Sequence, residues 1–258
     1  MCVEILLSCM NQTDCSILKE ENISGAATVI NQTNETKYFD ITSKPQNAKQ
    51  EFYFVEERGL SKSRNMAINK ASKEICVFAD DDELFVDNYE DVILKAFSEL
   101  QEADVIIFDI YNWKNPLFRK PTKLNRLFSL KISSIQIAFR RKSIIKERIK
   151  FDTRLGAGSG NGAGEENKFI YDCFNAGLKI YYYPDYIATL KDSKSTWFNG
   201  YTKTYFYDKG KVLSYIYGKL FAFLYSIYFI ISKYKLFYKK TKLTKAFFYM
   251  VKGINKGL

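Results

Sequence analysis

The sequence predicts an α/β protein with a mostly parallel central sheet flanked by helices and a helical C-terminal extension. Short apolar runs alternate with amphipathic helical segments up to Ile110, which is the pattern of consecutive βαβ units. After Tyr201 this alternation stops, and helical sequence rich in aromatic residues and lysine follows. A chain of 258 residues has room for one large α/β domain and a smaller appendage. We therefore expect a domain over residues 1–200 and an extension over residues 201–258.

The elements of this domain follow from short apolar runs and helix-capping residues. Strands are predicted at residues 3–7, 26–30, 52–55, 75–79, 104–110, 134–140 and 179–183, and Pro184 should end the last one. Helices are predicted after Asp14, after the turn and N-cap at Gly59 and Ser61, after Asp87, and from Glu165 to about Ala176. Residues 8–11 and 111–130 are predicted to be irregular.

Composition excludes several kinds of catalytic site. The chain has no histidine, so Ser-His-Asp and Cys-His systems and most zinc sites are absent. Acid, base and metal-binding roles would therefore fall to carboxylates. The five cysteines form no CxxC pair, which is typical of reduced thiols in a reducing compartment.

Charge is distributed unevenly along the chain. From Lys191 onward there are 14 lysines, no arginine and two acidic residues, a net charge of +12, whereas residues 1–190 carry −2. This pattern disfavours a nucleic-acid-binding surface across the domain. The N-terminus has neither a basic n-region nor a long apolar h-region, so we expect no signal peptide and a cytoplasmic location.

Four consecutive carboxylates, Asp80 to Glu83, follow the apolar run at residues 75–79. They would emerge at the C-terminal edge of a buried strand, where open α/β sheets bind ligands. Asp80 and Asp82 lie on the same side of an extended chain and could hold one hard cation, Mg²⁺ or Mn²⁺. Such ions take one or two carboxylates together with substrate phosphates, which points to a diphosphate ligand. The alternative is a solvated acidic turn that caps the next helix.

A glycine-rich stretch precedes two further carboxylates. Five glycines fall within residues 156–164, and Glu165 and Glu166 come next at the start of a predicted helix. A carboxylate beside a mobile loop could be brought against an acceptor hydroxyl as a general base. The alternative is that both glutamates only stabilise the helix dipole.

Four motifs together resemble family-2 glycosyltransferases of the bacterial surface-polysaccharide type. They are an apolar strand followed by SCMN at residues 8–11, GLSKSRN at 59–65, FADDD at 78–82 and GEE at 164–166. Their order and separation match the family over about residues 3–200. The resemblance implies a GT-A fold and transfer from a nucleotide-diphosphate sugar, UDP-sugar being the expected donor, with inversion at the anomeric carbon.

The resemblance, together with the chemistry of the side chains, predicts roles for individual residues. Metal ligands would be Asp80 and Asp82, and the base would be Glu166, with Glu165 as the second choice. Donor contacts would come from Cys9, Asn11, Asn31, Arg64, Asp80 and Asp81, and acceptor contacts from Gly164 and Trp197. For Arg64 the alternative is pairing with the Asp cluster, and for Trp197 it is packing.

The chain departs from the family pattern at three places. Asn31 and Gln32 stand where many relatives have an aspartate that contacts the base, so a neutral amide would make the base contact here. SCM replaces the usual P-T-Y, and Glu166 replaces an aspartate.

Two other functions remain open from the sequence. A nucleotidyltransferase also uses carboxylate-bound metal on an α/β fold, although a glycine-rich and basic phosphate-binding signature near the N-terminus is missing. A non-catalytic basic adaptor that binds membrane or nucleic acid is the second.

The tail predicts contact with a membrane. Residues 212–231 are apolar with one interior charge, Lys219, and lysines follow them. Length allows a membrane span, but the tyrosines and lysines favour a helix at the cytoplasmic face of the membrane. The resemblance adds a lipid-linked glycan as the acceptor. The alternative is an aromatic helix packed on the catalytic domain.

Overall fold

The computed structural model describes residues 1–43, 48–112, 116–161, 163–191 and 200–258, and it divides the chain into two units. The first comprises Met1–Thr153 and Glu165–Ser193, and the second comprises Arg154–Gly164 and Lys194–Leu258. The predicted boundary near residue 200 stays a prediction.

The first unit contains one mixed sheet with helices. In the described residues its strands are β1 Val3–Met10, β2 Ala26–Gln32, β3 Lys37–Ser43, β4 Ala48–Val55, β5 Ile75–Asp80, β6 Glu83–Phe85, β7 Val105–Tyr111, β8 Thr122–Lys123, β9 Ile137–Arg140 and β10 Ile180–Leu190. Its α-helices are α1 Ile17–Glu20, α2 Leu60–Lys70, α3 Tyr89–Glu99, α4 Arg141–Lys146 and α5 Glu165–Asn175. Two 3-10 helices cover Arg126–Leu130 and Ser134–Gln136.

The strand order is β3-β4-β2-β1-β5-β9-β7-β10-β6, and β8 pairs with β10. Strands β4, β2, β1 and β5 run parallel to one another, as do β7 and β10, while β9 lies antiparallel between β5 and β7. This arrangement confirms the predicted α/β class with a mostly parallel central sheet.

Both faces of the sheet are covered, which explains why its central strands are continuously apolar. On one face, Val77 and Ala79 of β5 pack in a cluster with Ile93 and Phe97 of α3. On the other face, Phe78 of the same strand contacts the rings of Phe139, Phe151 and Phe169 at centroid distances of 4.8, 5.0 and 5.5 Å. Side chains that alternate along β5 therefore anchor it in two separate cores.

Several predicted boundaries in the first unit were wrong. Residues 8–10 continue β1, because all three pair with β2 and Ser8 also pairs with Asp80 of β5. Strand β3 was missed and forms an antiparallel pair with β4. Pro184 does not end β10, because its ladder with β7 is irregular between Tyr182 and Tyr186, where no donor is required. The helix predicted after Asp87 begins at Tyr89 with Asn88 as its N-cap, and Asp87 instead accepts a hydrogen bond from Asn22.

Two further predictions had mixed outcomes. Residues 134–136 form a 3-10 helix before β9, where a continuous strand was expected. Helix α5 confirms the predicted helix from Glu165, and Gly177 follows it with a φ of +78°.

The second unit contains three helices in the described residues: α6 Lys203–Tyr217, α7 Lys219–Phe237 and α8 Leu243–Lys256. The segment at residues 212–231, expected to be one helix, is divided at Gly218, whose φ of +86° ends α6. Helices α6 and α8 approach closely through glycines. A Cβ on Gly210 would lie 2.1 Å from Met250 O, and one on Gly253 would lie 2.0 Å from Tyr207 O.

The loop Arg154–Gly164 packs against α6 within this unit. Lys211 Nζ donates to Asn161 Oδ1 at 2.6 Å, and Arg154 donates to the Tyr215 hydroxyl. Gly164 has a φ of +99° and lies so close to Val212 that a Cβ would be 2.5 Å from its Cγ1. Only glycine fits at that position.

Candidate functional site

The candidate site lies at the carboxyl edge of β1, β2 and β5 in the first unit. Asp80 is the last residue of β5 and pairs in register with Ser8 of β1. Cys9 and Met10 of β1 pair with Asn31 and Gln32 of β2. The parallel register therefore brings the ends of three strands together, as expected for a ligand-binding edge.

Arg64 of α2 is at the centre of this edge. Its side chain is only 1% exposed, and its Nη2 donates to Asp80 Oδ1 at 2.6 Å and to Asp80 Oδ2 at 2.9 Å. Its Nη1 lies 3.3 Å from Glu165 Oε1. Burial acts to lower the pKa of Arg64, but Asp80 and Glu165 outweigh burial and raise it, so the guanidinium stays charged. Arg64 thus pairs with the Asp cluster, as one of the two sequence interpretations held.

Ser134 completes this network and was not predicted. Arg64 Nη2 donates to Ser134 Oγ at 2.8 Å, and Ser134 Oγ is 3.4 Å from Asp80 Oδ2. Arg64 also lies over the ring of Phe151, 5.3 Å from its centroid. No sequence signal marked Ser134, because the residue reaches Arg64 only through the tertiary fold.

Glu165 and Glu166, at the start of α5, have different surroundings. Glu165 is 7% exposed and paired with Arg64, and its Oε2 is buried with no hydrogen-bond partner among the described atoms. Glu166 is half-buried. Desolvation and the nearby charge of Glu165 raise the pKa of Glu166 from 4.5 to about 8, although Arg64 acts in the opposite direction. The two adjacent carboxylates therefore differ: Glu165 is ion-paired with the Arg64 guanidinium, and the pKa of Glu166 is raised.

Two buried glutamates, Glu83 and Glu21, lie beside the three aspartates Asp80 to Asp82. Glu83 Oε1 accepts a hydrogen bond from Asp80 N at 2.8 Å, and complete burial raises the Glu83 pKa well above 4.5. Glu21 is fully buried and ion-paired with Lys191, and burial raises its pKa to about 7 against the effect of that lysine. Lys191 N also donates to Asp82 O at 2.8 Å. Glu83 and Lys191 hold the backbone of the acidic turn.

The amide side chains at the end of β2 organise the neighbouring loops. Asn31 is buried; its Nδ2 donates to Gln12 O at 2.8 Å and its Oδ1 accepts from Gln12 N at 3.1 Å. Gln32 Oε1 accepts from Gly59 N at 2.7 Å, ahead of α2. Asn11, with a φ of +56°, donates its N–H to Gln32 O at 3.1 Å. Asn31 and Gln32 thus position both loops at this edge, and the roles of Asn11 and Asn31 as donor contacts stay predictions.

The remaining predicted residues are placed as follows. The Cys9 side chain is buried in the core, and desolvation raises the pKa of its thiol strongly. Asp81 is exposed in the turn, where partial desolvation together with Asp80 and Asp82 raises its pKa. Gly164 belongs to the second unit, and Trp197 lies outside the described residues. Donor and acceptor roles for these residues stay predictions.

The side-chain oxygens at this edge fit the coordination of a hard divalent cation in part. Asp80 and Asp82 supply carboxylate oxygens, the ligands that Mg²⁺ and Mn²⁺ prefer. In the part of the chain that the structure describes, no group of three or more metal-binding side chains is assembled. Asp80 also shares both oxygens with Arg64. The arrangement suits an ion held by one or two carboxylates and by oxygens of a bound ligand, and does not suit a cage made wholly of protein.

Comparison with known proteins relates the fold to solved structures. No protein-family model matches the sequence, and no curated protein matches it significantly. The structure is similar to that of S. aureus TarS residues 1–349 in complex with UDP-GlcNAc, with a TM-score of 0.63, 14% identity, and coverage of 95% of this chain and 77% of that chain. The TarS 1–349 structure without a named ligand gives a TM-score of 0.61 at 14% identity, covering 97% and 81% of the two chains. The chain shares the fold of TarS 1–349, which supports the predicted α/β fold class.

Proposed function

We propose that the protein is an inverting glycosyltransferase that moves a sugar from a nucleotide-diphosphate sugar to a hydroxyl of a glycan acceptor. The observation that carries this proposal is the network of Asp80, Arg64 and Glu165 at the carboxyl edge of the sheet. It brings the acidic turn and the start of α5 together although 85 residues separate Asp80 from Glu165 in the chain. TarS, with the same fold, binds UDP-GlcNAc and UDP, which supports a UDP-sugar as donor.

In the proposed reaction the acceptor oxygen attacks the anomeric carbon as the bond from that carbon to the diphosphate oxygen breaks. The nucleoside diphosphate leaves with the bonding electrons, and the acceptor proton passes to a carboxylate of the enzyme. The leaving group is strongly anionic, so charge stabilisation at the sheet edge is the main requirement. Mn²⁺ or Mg²⁺, held by Asp80 and Asp82, would supply Lewis-acid stabilisation of the diphosphate when bound.

Arg64 is a positioning residue in this mechanism. Because it is buried, it acts through Asp80 and Glu165. It fixes the orientation of the Asp80 carboxylate and neutralises part of the acidic cluster. The same guanidinium fixes Glu165, so that the acidic turn and the first turn of α5 keep a defined separation.

Glu166 is the proposed base. Its neighbour Glu165 is committed to the ion pair with Arg64, which leaves Glu166 as the better candidate of the two. A base with a pKa of about 8 has a proton affinity suited to accepting a hydroxyl proton near neutral pH. Glu165 remains the second choice.

The acceptor and location are proposed on other grounds. The motif resemblance to surface-polysaccharide glycosyltransferases suggests a lipid-linked glycan acceptor in cell-surface polysaccharide synthesis. The basic, aromatic tail supports a place on the cytoplasmic face of the membrane.

A panel of nucleotide sugars incubated with the full chain and Mn²⁺ tests the proposed function. We expect slow hydrolysis of one donor to a nucleoside diphosphate without an acceptor. A nucleotidyltransferase would instead release pyrophosphate from a nucleoside triphosphate and a sugar phosphate. An adaptor would produce neither product, and with a complete panel that result would contradict the proposal.

A further inference from the structure

Helix α7 in the second unit presents an apolar face to solvent. The exposed residues Leu220, Leu224, Ile227, Ile231, Tyr234 and Tyr238 recur every three or four positions. They form one stripe, called here the α7 stripe, along the helix and onto the residue that follows it. Ala222, Ser226 and Phe229 lie on the opposite side and are buried. In the described residues the stripe is therefore directed away from the packed face.

Charge around the stripe has a single sign. Residues 209–258 contain 11 lysines and no aspartate or glutamate. Lys233, Lys235, Lys239 and Lys240 are all exposed and surround the C-terminal end of α7. A second copy of the chain on this face would oppose lysine with lysine, whereas an anionic surface would be attracted. The stripe and its lysines combine the two features of a helix that lies in a membrane interface.

We infer that the α7 stripe and its flanking lysines dock the protein in the plane of an anionic lipid bilayer. This surface is independent of the proposed catalytic function, because it involves none of the residues at the sheet edge.

Packing favours docking over spanning. Among the described residues α7 is the one helix long and apolar enough to cross a membrane by length and composition. Its inner face, however, packs on α6 and α8, and Lys209 of α6 lies 4.7 Å from the centroid of the Phe229 ring. Helix α8 brings Lys245, Lys252 and Lys256. A spanning α7 would carry these charges into the hydrocarbon or lose its packed face.

Co-sedimentation of the full chain with vesicles tests this inference. We expect binding to phosphatidylcholine vesicles that contain phosphatidylglycerol, weaker binding as salt rises, and little binding to phosphatidylcholine alone. Leu224→Ser should weaken binding about tenfold, because it removes one apolar side chain from the docked face. The matched control is Leu236→Ser: Leu236 is 59% exposed against 57% for Leu224, but lies about 120° away around α7. The control should bind like the wild type.

The lysines are tested in the same assay. Lys235→Gln together with Lys239→Gln should weaken binding by about fivefold per lysine removed. Lys146→Gln, an exposed lysine of the first unit, should leave binding unchanged.

Three results would overturn the inference. One is a protein that stays in the supernatant with anionic vesicles at low salt. Another is an equal response of binding to Leu224→Ser and Leu236→Ser. The third is an oligomer in lipid-free buffer that Leu224→Ser dissociates, which would assign the stripe to a second copy of the chain.

Discussion

The two units of the chain differ in whether their charged side chains are buried or exposed. In the first unit the charged side chains of Arg64, Glu21, Glu83 and Glu165 are buried. In the second unit the lysines at the end of α7 are exposed, and so are the apolar residues of the α7 stripe. Buried charge has a high desolvation cost, so it persists where partners fix it. We propose that the first unit carries the chemistry and that the second contacts a membrane surface.

The largest effect is expected at the proposed base. Glu166→Gln should lower transfer by about 10²- to 10⁴-fold, because the amide cannot accept the acceptor proton, while donor binding remains. Single-turnover transfer and equilibrium donor binding measure the two quantities separately. Glu165→Gln should lower transfer less. The reverse order would move the base to Glu165, and full activity in both variants would contradict the mechanism.

A pH profile examines the same residue. The base is active when deprotonated, and its pKa is raised to about 8, so transfer should rise with pH up to that value and then level off. Glu166→Gln should remove this rise from its residual activity. A profile for the wild type that is flat from neutral to pH 8 would contradict the assignment.

Among the substitutions that test stability, loss of the Arg64 guanidinium should lower the free energy of unfolding most. Arg64→Met leaves the buried Glu165 and the partly buried Asp80 without their partner, and we expect a loss of about 3–5 kcal/mol in the free energy of unfolding. Urea denaturation measures it. The control is Arg58→Met, because Arg58 is exposed and hydrogen-bonds to Gln32 O and Asn34; its cost should stay within about 1 kcal/mol. Equal losses in the two variants would show that the buried network has no special weight.

Adding one methyl group at Gly253 tests the packing of α6 against α8 in the second unit. Gly253→Ala should destabilise that unit by about 1–3 kcal/mol, because its Cβ would lie 2.0 Å from Tyr207 O and force α8 away from α6. Asn255→Ala, at an exposed position on the same helix, should change stability by less than about 0.5 kcal/mol. If Gly253→Ala also changes stability by less than about 0.5 kcal/mol, α6 and α8 do not approach each other as closely as the structure shows.

The smallest effect on stability is expected for Glu83→Gln. Its raised pKa means that the folded chain keeps a proton that the unfolded chain loses above pH 4.5, so this residue makes the wild type less stable as pH rises. Glu83→Gln mimics the protonated form and should be at least as stable as the wild type at pH 7. Glu83→Ala removes the acceptor for Asp80 N and should cost about 2–4 kcal/mol. A strongly destabilised Glu83→Gln would mean that a buried carboxylate charge is required.

The sequence was informative where structure follows from a local pattern. The apolar run before Asp80 predicted β5 and its edge, and the glycines before Glu165 predicted the start of α5. It was uninformative where a partner is distant along the chain. Ser134 reaches Arg64 across 70 residues, and Glu21 meets Lys191 across 170 residues. Such pairs leave no local periodicity or motif.

Tertiary context also reversed some local signals. A proline ordinarily ends a strand. Strand β10 nevertheless continues past Pro184, where its pairing with β7 is irregular. The apolar residues 212–231 read as one segment, yet the backbone of Gly218 divides them. The close approach of α6 and α8 at Gly210 and Gly253 depends on how the helices meet, which sequence periodicity does not show.

Calorimetric binding of UDP with Mn²⁺ tests the central claim, that the acidic sheet edge is a nucleotide-diphosphate site. Asp82 is the residue to change, because Asp80→Ala would also unpair the buried Arg64. We predict that the wild type and the Leu224→Ser variant bind UDP alike, and that Asp82→Asn binds it at least about tenfold more weakly. UDP binding by Asp82→Asn that equals the wild type, or no UDP binding by the wild type, would contradict the account.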